Sequence, residues 1–251
     1  MKKALIVGYG LFTHLCFLLG VALMFYQLYF GLCRTFVHID FCSPVLWNTI
    51  LLFHFPFLHS FFLTGPGRRL MGSEDPLFRI LMPTSYALLA SLQLIFVFGT
   101  WQSSEIIWWQ ASGIVSFILS SAYIFSWVYL GMAMSDAGLG YQTGFSGWWS
   151  ALGLKSGLSQ MGKFTMPEKR TFSVTRQPIY LSFALILWTS PVWSPDRGAL
   201  TLVWTLYCLF GPLHKERRYL RYFGDTFRDY QKRVPYFFPG IARRNKDKNT
   251  A

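Results

Sequence analysis

Residues 2–32 read KKALIVGYGLFTHLCFLLGVALMFYQLYFGL: two lysines, then no charge until Arg34. A helix of that length covers more than the ~30 Å hydrocarbon core of a bilayer. A cleaved secretory leader would carry an apolar run of only about 7–15 residues before a small-residue cleavage site. The stretch therefore reads as a retained membrane helix. Five further uncharged runs follow: Val45–Thr64, Ile80–Trp101, Ile106–Ser135, Pro178–Ser194 and Gly198–Leu213. The last two are short, and the PVWSP turn at 191–195 joins them as a helical hairpin. The expected fold is an all-α polytopic membrane protein of about six transmembrane helices. Both termini are expected to be cytoplasmic, with a cytoplasmic helical extension at the C-terminus. Residues 1–135 form a four-helix scaffold in this reading. Residues 136–251 hold an interfacial segment, the hairpin and a C-terminal binding region.

Composition and charge placement agree with that class. The 251 residues are 53% hydrophobic and only 14% charged, against about 25% charged in soluble domains. With six spans and the N-terminus inside, only Arg34 and Arg197 of the 23 Lys and Arg fall on the outer side. That asymmetry is the positive-inside pattern. The net charge of +12 then reflects topology and attraction to anionic headgroups of the lipid bilayer, and calls for no nucleic acid partner. Cys16 and Cys208 lie within apolar runs, while Cys33 and Cys42 flank the first outer loop and leave a disulfide open.

Some polar residues stand out against this background. Asn48, His54 and His59 lie in the second run, where polar groups are costly and often functional. They serve as bonds to facing helices, as groups near the inner interface, or, for His59 and secondarily His54, as part of a substrate pocket. From Asp136 to Lys169 glycines interrupt the chain around Tyr141, Trp148 and Trp149, which suggests a partly helical stretch lying in the membrane interface. Tyr141 and Gln142 are the candidate substrate contacts there. After Leu213 the chain becomes charged and amphipathic. Gly224 reads as a helix C-cap, Asp225–Arg233 as a short helix stopped before Pro235, and Arg243–Ala251 as a disordered basic tail.

The chemistry is concentrated in Thr175-Arg-Gln-Pro-Ile-Tyr180, Lys215-Glu-Arg217, Phe223-Gly-Asp-Thr-Phe-Arg-Asp-Tyr230 and Arg233-Val-Pro-Tyr236. A hairpin that crosses and returns would bring the first two words to one cytoplasmic end, beside an apolar cavity. No Cys/His metal spacing and no Ser-His-Asp ordering is present.

Together these words resemble the C-terminal signature of the isoprenylcysteine carboxyl methyltransferase superfamily, which includes phospholipid methyltransferases. Leu58-His-Ser60, Ser85-Tyr-Ala-Leu-Leu-Ala-Ser91 and Gly138-Leu-Gly-Tyr-Gln142 are similar to the NnrU-like branch, which contains methanethiol S-methyltransferases. The resemblance implies a multi-pass protein of the bacterial inner (plasma) membrane. It implies transfer of a methyl group from S-adenosyl-L-methionine to a small thiol or lipophilic acceptor. Arg176, Gln177, Pro178, Tyr180, Glu216 and Arg217 would bind the cofactor, with Glu216 and Arg217 also in the catalytic role. The family's His is Gln177 here, and the first Glu of its Glu-Glu pair is Lys215. An NADPH-dependent sterol or polyprenoid reductase and a non-catalytic NnrU-like accessory protein are the alternative readings.

Overall fold

In a computed structural model, residues 2–72, 74–154, 166, 168 and 170–239 are described. The basic tail at 243–251, Lys155, Lys163, Lys169, Gly157 and Gly162 lie outside them. The elements run α1 (Lys2–Tyr29), α2 (Pro44–Phe61), α3 (Gly65–Leu70), α4 (Pro76–Gly99), β1 (Trp109–Gln110), α5 (Gly113–Asp136), α6 (Leu139–Gln142), α7 (Phe145–Ala151), α8 (Thr171–Val174), α9 (Pro178–Trp188), β2 (Val192–Trp193), α10 (Pro195–Phe223) and α11 (Asp225–Arg233). The protein is thus mostly helical, and α1, α4 and α5 are long and apolar enough to cross a membrane. Their outward faces carry large exposed apolar side chains, among them Leu15, Leu18, Phe117, Ile118 and Phe125. Exposed apolar side chains of this kind fit membrane association.

Packing follows from small residues and aromatic fill. α1 lies along α4, α5 along α9, and α2 against α4 and α10. The core joins Met24 and Leu28 of α1, Leu51 of α2, Val97 and Phe98 of α4, Tyr123 and Leu130 of α5, and Leu200 and Trp204 of α10. The molecule has two distinct ends. At one end, Ser190 donates to the Tyr29 carbonyl at 2.9 Å and Arg197 donates to that of Leu28. At the other, about 30 Å away along α1, the Tyr9 hydroxyl donates to Ser85 at 2.9 Å. Glu216 sits nineteen residues along α10 from Arg197 and so belongs to the Tyr9 end.

Four expectations change. The run Ile106–Ser135 is not one helix: α5 begins at Gly113, and the preceding residues are extended. There Trp109 pairs with Trp193 and Gln110 with Val192, antiparallel, so the 191–195 turn is half of a small sheet. Hydropathy cannot separate an apolar strand from an apolar helix. The charged helix expected after Leu213, capped by Gly224, is present but is not separate: it continues the second hairpin helix through Pro212 to Phe223 as one 29-residue helix. Arg197, expected on the outer side, is not a solvated charge: it is fully buried. Lastly, the glycine-rich segment does not merely lie on the surface. α7 docks on α4 and α1 with Trp148 buried, and the Thr84 hydroxyl accepts from the Trp148 amide at 2.9 Å.

That docking needs glycine at 147, where an added Cβ would meet Thr84 Oγ1 at 2.5 Å and the Ile80 carbonyl at 3.1 Å. Gly147→Ala is expected to cost about 1–3 kcal/mol through overpacking. The readout is the thermal unfolding midpoint of the detergent-solubilised protein. Cys33 and Cys42 are both free thiols.

Candidate functional site

The site begins with two helix starts and one helix end. Pro178 opens α9 at its first turn, where its missing N–H costs nothing, and this sets Arg176 and Gln177 just before the helix. α10 returns antiparallel and presents Glu216, which is buried. Although forty residues apart in the chain, Arg176 Nε donates to Glu216 Oε1 at 2.8 Å and Nη2 to Oε2 at 3.3 Å. Gln177 Nε2 donates to Oε1 at 2.9 Å. The Gln231 carboxamide completes the carboxylate, donating to Oε2 at 2.7 Å.

The C-terminal words of the signature hold this cluster closed. Gly224 ends α10 at φ +54°, a conformation that favours glycine, and turns the chain into α11. Phe227 and Tyr230 then pack on Tyr219, and the Tyr230 hydroxyl donates to the Phe172 carbonyl at 2.6 Å. Beyond α11 the chain folds back. Arg176 Nη1 donates to the carbonyls of Gln231 and Val234, each at 2.9 Å, and its backbone amide to that of Pro235 at 3.0 Å. Thr175 Oγ1 reaches the Phe237 carbonyl at 2.8 Å, and the Tyr236 hydroxyl that of Leu209 at 2.6 Å. Burial pushes the Tyr236 phenol up to about 12 and raises that of Tyr230 further, so both remain protonated donors.

Around Glu216 lies a small cleft of about 10 Å³, lined by Phe172, Arg176, Gln177, Lys215, Tyr219 and Tyr230 among others. Two features of it are unspent. Gln177 Oε1 is buried without a hydrogen-bond partner among the described residues. The Lys215 ammonium has no ion pair or hydrogen bond among the described residues and rests over the rings of Tyr180 and Tyr219, 5.7 Å from each centroid. Burial pushes it down to about 8, against an upward pull from Glu216 and with a further downward push from Arg218.

The expected site residues do not all converge. Arg176, Gln177 and Glu216 bond directly, and Pro178 positions them. Tyr180 stands beside the cluster, 6.3 Å from the Tyr207 ring. Arg217 is turned outward and exposed, because one step along a helix is a rotation of about 100°. His59 lies on another wall: it stacks on Phe55 at 4.8 Å and meets Tyr86 at 5.1 Å, with a buried, unpartnered Nδ1. Its neighbour Ser60 donates to Tyr207 at 3.2 Å, which links that wall to Tyr180. Tyr141 is exposed yet within electrostatic reach of Tyr86 and Tyr219. Gln142 is half-buried at the end of α6.

Gln231 and the cleft position of Lys215 are the contributions sequence reasoning missed. The helical phase of α11 was a usable signal for Gln231, next to the buried Tyr230. A larger apolar groove of about 470 Å³ passes His54 on α2, but no residue of the Glu216 cluster lines it.

No known protein-family profile matches the chain, and no solved structure matches it. Curated relatives do. A methanethiol S-methyltransferase 2 of Bradyrhizobium diazoefficiens is 28% identical over 207 residues, covering 82% of this chain and 77% of the relative. Methanethiol S-methyltransferases of Pseudomonas deceptionensis and Crocosphaera subtropica are 25% and 22% identical. These matches cover 63% and 64% of this chain, and 60% and 62% of the relatives. The chain is therefore similar to curated methanethiol S-methyltransferases and is an enzyme of the methyltransferase kind. The reductase and accessory readings are not favoured.

Proposed function

We propose that this protein transfers a methyl group from S-adenosyl-L-methionine to a small thiol, at a site on the cytoplasmic face of the bacterial inner membrane. The carrying observation is the joining of Arg176, Gln177 and Gln231 on the Glu216 carboxylate at one end of the α9–α10 hairpin.

The chemistry of this donor set fits the cofactor. Gln177 Oε1 is an acceptor with no donor among the described residues, suited to an ammonium or amine. Once α11 withdraws Gln231 and the Gln231 and Val234 carbonyls, Glu216 regains acceptor capacity for hydroxyls or an ammonium and Arg176 Nη1 becomes available to a carboxylate. When bound, the cofactor would supply an electrophilic methyl on a sulfonium. The chain's residues then orient it and exclude water, which carries much of the rate in a displacement of this type. The cleft must open for this, since ligand pockets hold about 300–1,000 Å³. α11 and the Tyr230–Phe172 contact are the parts that move in this reading. His59, Tyr86, Tyr180 and Tyr207 form the wall assigned to the thiol, with Tyr141 and Gln142 at its edge.

The topology proposed here has six crossings with both termini inside. α9 is eleven residues, about half of the ~30 Å core. The chain after it, which includes the strand Val192–Trp193, supplies the rest of that crossing. The basic residues of α3, the start of α4, and the parts of α10 and α11 near Glu216 then share one side with Lys2 and Lys3, as the positive-inside pattern requires.

The test is direct. Membranes containing the protein, given isotopically methyl-labelled S-adenosylmethionine and methanethiol, are expected to release labelled dimethyl sulfide. Failure to label methanethiol or any other simple alkyl or aromatic thiol would contradict the proposal.

A further inference from the structure

Lys215 has no role in the donor contacts above, and its surroundings are unusual for a lysine. It stands in the same cleft as Glu216, lacks an anionic bonding partner among the described residues, and is held between two phenol faces. We infer that Lys215, as a neutral amine, is the group that takes the proton from the acceptor thiol. The inference rests on the thiol methylation proposed above and deepens it.

The step balances. The amine nitrogen of Lys215 accepts the S–H proton, and the sulfur pair so freed forms the bond to the transferred methyl. That methyl's former bonding pair stays with the donor sulfur. Lys215 ends as an ammonium and returns its proton to water. The step begins with one positive charge on the donor and ends with one on Lys215. The rings of Tyr180 and Tyr219 can hold either cation.

Other charged and titratable groups bear on the amine. Glu216 and Arg218 flank it on α10, Arg176 and Tyr180 share its surroundings from the start of α9, and Tyr219 and Tyr230 close the cleft. Burial, against an upward pull from Glu216 and with a push from Arg218, holds Lys215 down to about 8. The free amine is therefore easier to reach near neutral pH than in an ordinary lysine, which titrates at about 10.4.

Two experiments test this. In the wild type without donor, acetylation of Lys215 by acetic anhydride, followed by mass spectrometry across pH 6–11, is expected to reach half-maximum near pH 8. A midpoint at the ordinary lysine value overturns the inference. In the second, Lys215→Met is assayed with a simple alkyl thiol and with an aromatic thiol that ionises in neutral water. The expected loss is at least about a hundredfold on the alkyl thiol and less than about tenfold on the aromatic one, with S-adenosylhomocysteine affinity kept within a few-fold. Equal losses on both thiols mean a structural role and overturn it, as does no loss on either. A wild type that methylates neither thiol removes the parent proposal and this one together. A wild type that methylates both, with a variant impaired equally on both, removes this one alone.

Discussion

Glu216→Ala is expected to abolish measurable binding of S-adenosylhomocysteine, by at least about a hundredfold, and to lower the unfolding midpoint as well. The carboxylate takes four hydrogen bonds, two from Arg176 and one each from Gln177 and Gln231. Its side chain and that of Arg176 are only 8% and 12% exposed. Deleting one partner of such a pair leaves the other charge buried, which costs about 3–5 kcal/mol. The carbonyls of Gln231 and Val234 still solvate the guanidinium, so the stability loss should fall at the lower end. Glu216→Gln separates charge from hydrogen bonding: it keeps acceptors for Gln177 or Gln231 but loses the charge that holds Arg176. Its stability should lie between wild type and Ala, with binding still strongly reduced. Titration calorimetry and thermal unfolding in the same detergent measure both effects. A Glu216→Ala protein that binds S-adenosylhomocysteine as the wild type does would place the donor elsewhere.

The second large effect concerns the opposite end of the molecule. Arg197 is fully buried. It donates to the carbonyls of Leu28, Ile186 at 3.2 Å and Leu187 at 2.7 Å, while its guanidinium lies 5.4 Å from the Trp193 ring centroid. One side chain therefore caps the C-terminal ends of both α1 and α9, where helix carbonyls lack partners and the dipole favours a cation. Arg197→Met should destabilise the protein by about 3–5 kcal/mol, from several charge-assisted hydrogen bonds at about 1.5–3 kcal/mol each, partly offset by removal of a buried charge. Arg197→Lys should recover only part of this, because one ammonium cannot reproduce the planar fork that reaches both helix ends. Well below the unfolding midpoint, S-adenosylhomocysteine affinity should stay near wild type, since Arg197 lies about 28 Å along α10 from Glu216. A thermal midpoint unchanged in Arg197→Met would refute the capping role.

Glu216 and Arg197 show what the sequence made legible and what it did not. The long uncharged runs announced α1, α4 and α5, because helix length against bilayer thickness is a strong constraint. Gly224 and Pro235 bracketed α11 at Asp225–Arg233, as found. The hairpin logic also foresaw that residues near 176 and 216 would meet, since an antiparallel return brings equivalent ends together. Charge counting, however, treats every basic residue as a loop residue. It therefore read Arg197 as an outer charge, although its carbonyl partners come from two other segments. Pairing between residues 109–110 and 192–193 was illegible for the same reason: strand partners distant in sequence leave no periodic trace. Within the Lys-Glu-Arg word at 215–217, the sequence could not say which way each side chain turns. The packing of α10 on α9 sends Glu216 inward and Arg217 outward, and leaves Lys215 at the cleft.

The central claim is that the Arg176–Gln177–Glu216 cluster holds an adenosyl-sulfur ligand. Titration of the folded, detergent-solubilised wild type with S-adenosylhomocysteine addresses it most directly. Saturable binding of one ligand per chain, lost in Glu216→Ala, is the predicted result. No heat of binding up to millimolar ligand, from a protein that still unfolds cooperatively, would contradict it.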